Sequence, residues 1–169
     1  MGGVDKPALT VGGVPLLDRV LGACSAAMVT VVVGPERPTC RPVRWTRESQ
    51  IGSGPVAALV AGLQVVTAPQ VVLLAGDLPF LRHAVVAQLL AAITDDGALL
   101  VDETGREQWL CSAWHTEALR GADLGSDRLS RALGALTVTR VALPVAPGEV
   151  APWVDCDTQA DLQQARELA

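Results

Sequence analysis

The chain has 169 residues, half of them apolar, with 13 basic against 18 acidic side chains and a net charge of −5. That length suits one domain with a full core, and so large an apolar share excludes disorder. The negative balance has the wrong sign for a phosphate-backbone binder, so nucleic acid is not an expected partner. No apolar run approaches the ~20 residues of a membrane helix, and no basic segment precedes an apolar one at the amino end. The sequence therefore reads as a cytoplasmic protein with no membrane partner. Cys24, Cys40, Cys111 and Cys156 stand far apart without a C-x-x-C pair, and only two histidines are present. Neither a disulfide framework nor a zinc pattern is expected, and Cys24 and Cys111 read as small buried hydrophobes.

In chain order, MGGVDKPA (1–8) reads as a loop from which Asp5 and Lys6 project. Pro15 suits a first helical position, and Leu16, Leu17, Val20, Leu21 and Cys24 share a helical face. Met28 to Val33 is a β-branched run closed by Gly34-Pro35, and Val43 to Thr46 is a second, shorter strand. Arg37, Arg41, Arg44 and Arg47 between and around them read as a solvated connection of mixed charge. Ile51 to Pro55, IGSGP, is a Gly-rich loop opening onto a helix whose Val56, Leu59, Val60 and Leu63 share a face. Its backbone N–H groups either approach a ligand or merely tighten a turn.

Val71 to Ala75 reads as a strand buried on both faces, ended by Gly76-Asp77 and Pro79. Asp77 then stands at the carboxyl edge, where ligands of open α/β sheets sit. A carboxylate there suits a hard cation such as Mg²⁺ arriving with substrate phosphates. It equally suits a turn before Leu78-Pro79, and the motif alone leaves both readings open. A helix follows with Val85, Val86, Leu89, Leu90 and Ile93 buried and His83 at its exposed start. Ala98 to Val101 and Trp109 to Trp114, joined by the polar DETGRE, predict an antiparallel hairpin in which both tryptophans are packing residues. Thr116 to Arg120 and Arg128 to Leu136 predict helices, and Thr137 to Leu143 a strand.

In the tail, WVDCDTQADLQQARELA, Thr158 and Asp161 form a capping-box pattern that starts a last helix. Asp155 and Asp157 sit at the strand-to-helix junction before it and share one side of an extended segment. They serve as helix N-terminal ornament or as partners of Asp77 in a metal site.

The alternation of elements supports a three-layer α/β/α sandwich with a mostly parallel sheet and one antiparallel hairpin. No P-loop, dinucleotide fingerprint or G-x-S-x-G occurs. D-C-D-T at 155–158 departs from the D-x-D-x-[TV] of aspartyl-phosphate phosphatases at Gln159 and lies at the wrong end of the chain.

Several stretches together resemble one family. MGGVDKPAL followed by VGGVPLLDRVL resembles the second half of the signature L-A-G-G-x-x-x-R-M-G-x-D-K of molybdenum cofactor guanylyltransferases, the MobA-like nucleotidyltransferases. IGSGPVAAL resembles that family's G-P-L-A-G segment, LAGDLPFL its strand-end Asp-x-Pro, and VDCDTQADL its carboxyl-terminal D-x-D-T-P-E-D-L. The resemblance spans nearly the whole chain in the right order. It implies a single Rossmann-like nucleotidyltransferase domain over 1–169 that transfers GMP from GTP to molybdopterin cofactor and releases pyrophosphate. Lys6 would hold the nucleotide phosphates, Asp77 would bind Mg²⁺, and Asp157 with Asp155 would contact the metal or the second substrate. Gly54 and Pro55 would line the base pocket, with Ser53 adjacent. Transient contact with molybdoenzyme maturation proteins is also implied.

Two departures matter. Gln159 replaces the usual Pro, and the L-A-G-G-x-x-x-R half of the signature is absent. In the family that half is the first strand and the loop around the nucleotide, so a strand is expected upstream of Met1, filling a slot between 28–33 and 71–75. Two alternatives stay open: a cytidylyltransferase using CTP with the same chemistry, and a truncated, non-catalytic nucleotide- or partner-binding protein.

Overall fold

The computed structural model describes residues 6–50 and 52–168, so Asp5 and Ile51 lie outside the described residues. The 3₁₀ turn Lys6–Ala8 leads into a small antiparallel hairpin, β1 (Thr10–Val11) and β2 (Val14–Pro15), then helix α1 (Leu16–Ala23). Strands β3 (Val31–Val33) and β4 (Arg44–Thr46) pair in parallel. Next come α2 (Pro55–Leu63), β5 (Gln70–Leu74), α3 (His83–Ala91), β6 (Gly97–Val101) and β7 (Glu107–His115). The chain continues with α4 (Thr116–Gly121), α5 (Leu129–Ala132), β8 (Val138–Ala142) and α6 (Gln159–Glu167).

The main sheet has the order β5-β7-β6-β8. β7 runs antiparallel to both β5 and β6, while β8 is parallel to β6, so three of the four strands point one way and β7 is reversed. The polar link after Val101 makes β6 and β7 the expected hairpin, with β7 inserted between β5 and β6. Side chains of β5 alternate between the two faces, as a period of two requires. Val72 and Leu74 pack with Val20 of α1 and Val85, Val86 and Leu89 of α3. Val71 and Leu73 pack with Val56, Leu59 and Leu63 of α2, Leu119 of α4 and Leu129 of α5. Helices thus cover both faces, giving the three layers that the alternation predicts. Trp109 and Trp114 stack with centroids 6.2 Å apart, and Trp114 is fully buried.

Several expectations need correction. Val71 to Leu74 are half-buried rather than buried on both faces, because among the described residues β5 is an edge strand hydrogen-bonded only to β7. The strand of 28–33 shrinks to Val31–Val33, and Met28 is 96% exposed. Its shortness follows from its partner, since β4 offers three residues for pairing. Pro15 pairs with Thr10 in β2 and precedes the helix rather than opening it. The turn between β1 and β2 is Gly12-Gly13, with φ of +58° and +75°, the left-handed pair that a two-residue type I′ turn demands.

The helix expected over 128–136 ends at Ala132, where Leu133 leaves the helix toward Gly134. Leu129, Leu133 and Leu136 nevertheless share one apolar cluster. Arg41 is not simply solvated: it donates to the carbonyls of Cys24 and Ala27, closing the end of α1. Cys24 and Cys111 are buried, and burial pushes the Cys111 thiol up to about 12. Among the described residues no helix is long and apolar enough to cross a membrane.

Gly97 opens β6 directly opposite Trp114, and a methyl group there would run into the indole and lie 2.8 Å from the Ala113 carbonyl oxygen. Gly97→Ala is expected to destabilise the fold by about 1–3 kcal/mol through overpacking. Urea unfolding of the variant should show a lower midpoint with an unchanged slope.

Candidate active site

The strands β5, β6 and β8 point their carboxyl ends toward one edge of the sheet, and Asp77 follows β5 there by three residues. The 3₁₀ turn that carries Lys6 is closed by Leu9 N–H donating to the Lys6 carbonyl at 3.0 Å. Pro7 fixes that turn, and its ring lies 3.9 Å from the position a Cβ on Gly76 would take. The residue after Lys6 therefore packs on the residue before Asp77.

Asp155 and Asp157 come from the other end of the chain. No ladder precedes them, so their junction is loop-to-helix rather than strand-to-helix. The extended run alternates as expected, with both aspartates exposed and Cys156 between them fully buried. Burial pushes the Cys156 thiol up to about 11, so it packs rather than reacts. Thr158 then caps α6 reciprocally with Asp161. The Asp161 N–H donates to Thr158 Oγ1 at 3.1 Å, and the Thr158 N–H donates to Asp161 Oδ2 at 2.7 Å.

These segments converge electrostatically. Lys6 Nζ donates to Asp157 Oδ1 at 2.7 Å, with side-chain exposures of 28% and 66%. That hydrogen bond, aided by the charges of Asp157, Asp77 and Asp155, raises the Lys6 ammonium above its ordinary pKa. The Asp77 carboxyl is also raised, first by burial and then by the like charges of Asp155 and Asp157. Asp155, exposed as a residue, is raised by partial desolvation of its carboxyl and by the charge of Asp157. One cation therefore stands among three carboxylates that repel each other.

Among the described residues no three His, Cys, Asp or Glu side chains are grouped so as to cage a metal ion by themselves. Mg²⁺ in nucleotide sites usually takes one or two carboxylates and completes its shell with phosphate oxygens and water. A hard oxygen donor set with unbalanced negative charge, already drawing in an ammonium group, fits that mode.

The expected base-pocket residues are built differently. Ser53 Oγ donates to the Gln50 carbonyl at 2.7 Å, and Gly54, with φ of +90°, precedes Pro55 at the start of α2. No side chain caps this helix, so its first-turn N–H groups past Pro55 have no side-chain acceptor. Among the described residues no hydrogen bond or ion pair joins Ser53, Gly54 or Pro55 to the Lys6 cluster.

Two arginines escaped the sequence reading. Arg19 donates to the Val11 carbonyl through Nε at 2.9 Å and Nη2 at 2.7 Å, and to the Pro79 carbonyl through Nη1 at 3.3 Å. Arg166 Nε donates to the Thr10 carbonyl at 2.9 Å. The bonds to Pro79 and Thr10 run to main-chain oxygens distant in sequence, for which periodicity carries no signal.

Comparison with known proteins shows the family and the fold. Residues 1–141 match the family model of the MobA-like NTP transferase domain. A molybdenum cofactor guanylyltransferase of a Bradyrhizobium species is 29% identical over 186 aligned positions, covering all of this chain and 87% of that protein. A probable molybdenum cofactor guanylyltransferase of Natronomonas pharaonis is 28% identical, covering 99% of this chain and 91% of that one. The fold is shared with molybdopterin-guanine dinucleotide biosynthesis protein A of Archaeoglobus fulgidus, with a TM-score of 0.73 at 20% identity over 98% of this chain and 91% of the other. It is shared equally with 2-C-methyl-D-erythritol 4-phosphate cytidylyltransferase of Thermus thermophilus, with a TM-score of 0.71 at 23% identity over 96% and 92%. With well over half of its length matched to the family model, the chain belongs to the MobA-like NTP transferase domain family of nucleotidyltransferases.

Proposed function

We propose that this protein transfers GMP from GTP to molybdopterin cofactor with release of pyrophosphate. The observation that carries the reading is the convergence of Lys6, Asp77, Asp155 and Asp157 at the carboxyl edge of the sheet. Its two curated relatives, named as guanylyltransferases of this cofactor, support the choice of base and acceptor. The terminal phosphate oxygen of the acceptor attacks the α-phosphorus of GTP. The bond from that phosphorus to the α–β bridging oxygen breaks, and the electron pair leaves with pyrophosphate. No covalent enzyme nucleophile is required, so the protein's task is positioning and charge neutralisation. Lys6 leaves Asp157 to hold the β- and γ-phosphates. Asp77 and Asp157, with Asp155 beside them, would hold Mg²⁺, which when bound neutralises charge on the triphosphate. The Ser53-Gly54-Pro55 loop and the uncapped start of α2 face the base, offering backbone N–H groups.

The direct test is pyrophosphate release from GTP or CTP in the presence of molybdopterin and Mg²⁺. Robust turnover with GTP and little with CTP is expected, and a clear preference for CTP would overturn the choice of base.

Asp77→Asn keeps the shape and removes the anion. It is expected to lower Mg²⁺-dependent transfer by about 100-fold or more. Stability should move the other way. The folded-state pKa of Asp77 lies above the unfolded value, so the native protein holds this proton to higher pH and loses stability as pH rises through that window. The Asn variant should therefore have a higher Tm at pH 7, and the gain should vanish below about pH 4. A variant with parental turnover would make Asp77 a turn residue only.

Lys6 contributes a point charge without base preference. Lys6→Ala should weaken GTP and CTP alike, by about tenfold or more, leaving their ratio unchanged in equilibrium binding. A large change in the ratio would move Lys6 from phosphate to base.

A further inference from the structure

We propose that Arg19 is a positioning residue that sets the separation of Lys6 and Asp77; its catalytic consequence rests on the nucleotidyl-transfer reading above. Arg19 lies half-buried in the middle of α1, and its guanidinium spans two segments. One is the β1–β2 hairpin, which begins two residues after the turn carrying Lys6. The other is the 77–81 segment, where the Pro79 carbonyl lies two residues beyond Asp77. A planar fork with donors in fixed directions can hold both carbonyls at once, and an ammonium at the same place cannot reproduce that geometry.

The choice of partners is informative. Among the described residues Arg19 meets carbonyl oxygens and no carboxylate. A partly desolvated cation bonded only to main-chain oxygens fixes backbone, since it neutralises no charge. Pro79 cannot enter a ladder through an N–H group, so its segment lacks the usual means of attachment to a sheet. A second approach joins the residues next to these segments: the Pro7 ring of the Lys6 turn lies 3.9 Å from where a Cβ on Gly76, the residue before Asp77, would stand. The polar clamp and this apolar contact together define the gap across which Lys6 and Asp77 share a triphosphate.

A plain structural staple would also lower stability when removed, so the test separates the two roles. In Arg19→Met and Arg19→Lys, amide hydrogen exchange without nucleotide reports on residues 10–16 and 76–81, with β6 and β8 as internal references. Thermal unfolding gives the folded fraction, and transfer is measured at saturating GTP, Mg²⁺ and acceptor. For Arg19→Met, exchange in both segments should rise by about tenfold or more while β6 and β8 stay unchanged. Its kcat per folded molecule should fall by about 30-fold while GTP affinity stays within about threefold, and Arg19→Lys should be intermediate. Parental exchange in either segment, an equal rise throughout the sheet, or an unchanged kcat per folded molecule would overturn the proposal. If Arg19→Met does not fold, the Lys variant decides by the same criteria. Should the parental protein transfer neither GTP nor CTP, the functional reading fails, and the exchange measurements still decide whether Arg19 is the clamp.

Discussion

The charged groups of this protein are held in place by a small apolar contact beneath them. Cys156, Val11 and Leu16 are fully buried together with Leu162 and Ala165, and Leu9 and Phe80 pack against them. These residues come from the hairpin after Lys6, the first residue of α1, the segment after Asp77, and the tail carrying Asp155 and Asp157. A fully buried Val or Leu contributes about 1.5–3 kcal/mol, more than exposed ion pairs deliver. The Lys6–Asp157 pair is therefore a consequence of where the apolar floor puts its two ends. Cys156 is the joint: its burial obliges the residues on either side to turn outward, which puts both tail aspartates on the surface facing Asp77.

That placement is electrostatically unfavourable, and the conflict is informative. Asp77 is raised by burial and by both tail aspartates, and a fold selected for stability alone would place Asn or an apolar residue there. Lys6 relieves part of the repulsion and is not itself buried, so it can be drawn away by a phosphate. Local strain of this kind is tolerated where ligand binding later supplies the missing counter-charge. The capping box at Thr158 belongs to the same design. It satisfies two of the donors at the start of α6 internally, with Asp161 held below its ordinary pKa by Thr158, so that neither Asp155 nor Asp157 serves as the cap.

Much of this was legible in the sequence because it depends on local pattern. Strand and helix periodicities gave the alternation, Gly76-Asp77 with Pro79 gave the end of β5, and Thr158 with Asp161 gave the start of α6. What was not legible depends on pairing at long range. Nothing in Val71 to Ala75 tells whether a strand has one neighbour or two, so its partial burial awaited the sheet order. The clamp from Arg19 to Pro79 spans 60 residues and the bond from Arg166 to Thr10 spans 156, and neither follows from a helical face. The β1–β2 hairpin is an intermediate case. V-G-G-V carries the two glycines that a type I′ turn needs, yet strands of two residues give no periodicity to read.

The sheet itself shows how a reversed strand can serve a site built from parallel ones. β7 pairs Ser112 with Leu99 and Gln108 with Leu100, so Trp109, Leu110 and Cys111 are extra on the side facing β6. On the other side the same stretch stays in register with β5: Cys111 pairs with Leu74, and the Leu110 carbonyl accepts the Ala75 N–H at 2.9 Å. The bulge thus lets β7 follow β5 one residue beyond its assigned end, up to the residue before Gly76-Asp77. Bulges leave a carbonyl without a ladder partner, and here the Trp109 carbonyl accepts from Ser112 Oγ, which in turn accepts from Trp114 Nε1, both at 2.7 Å. Ser112 is one of two fully buried polar side chains in the described core, and its burial is satisfied only because the bulge supplies that carbonyl. Removing the bulge would leave Ser112 with an unused donor. The same irregularity that satisfies the buried serine lets β7 leave its register with β6 while it stays paired with β5 on the approach to Asp77.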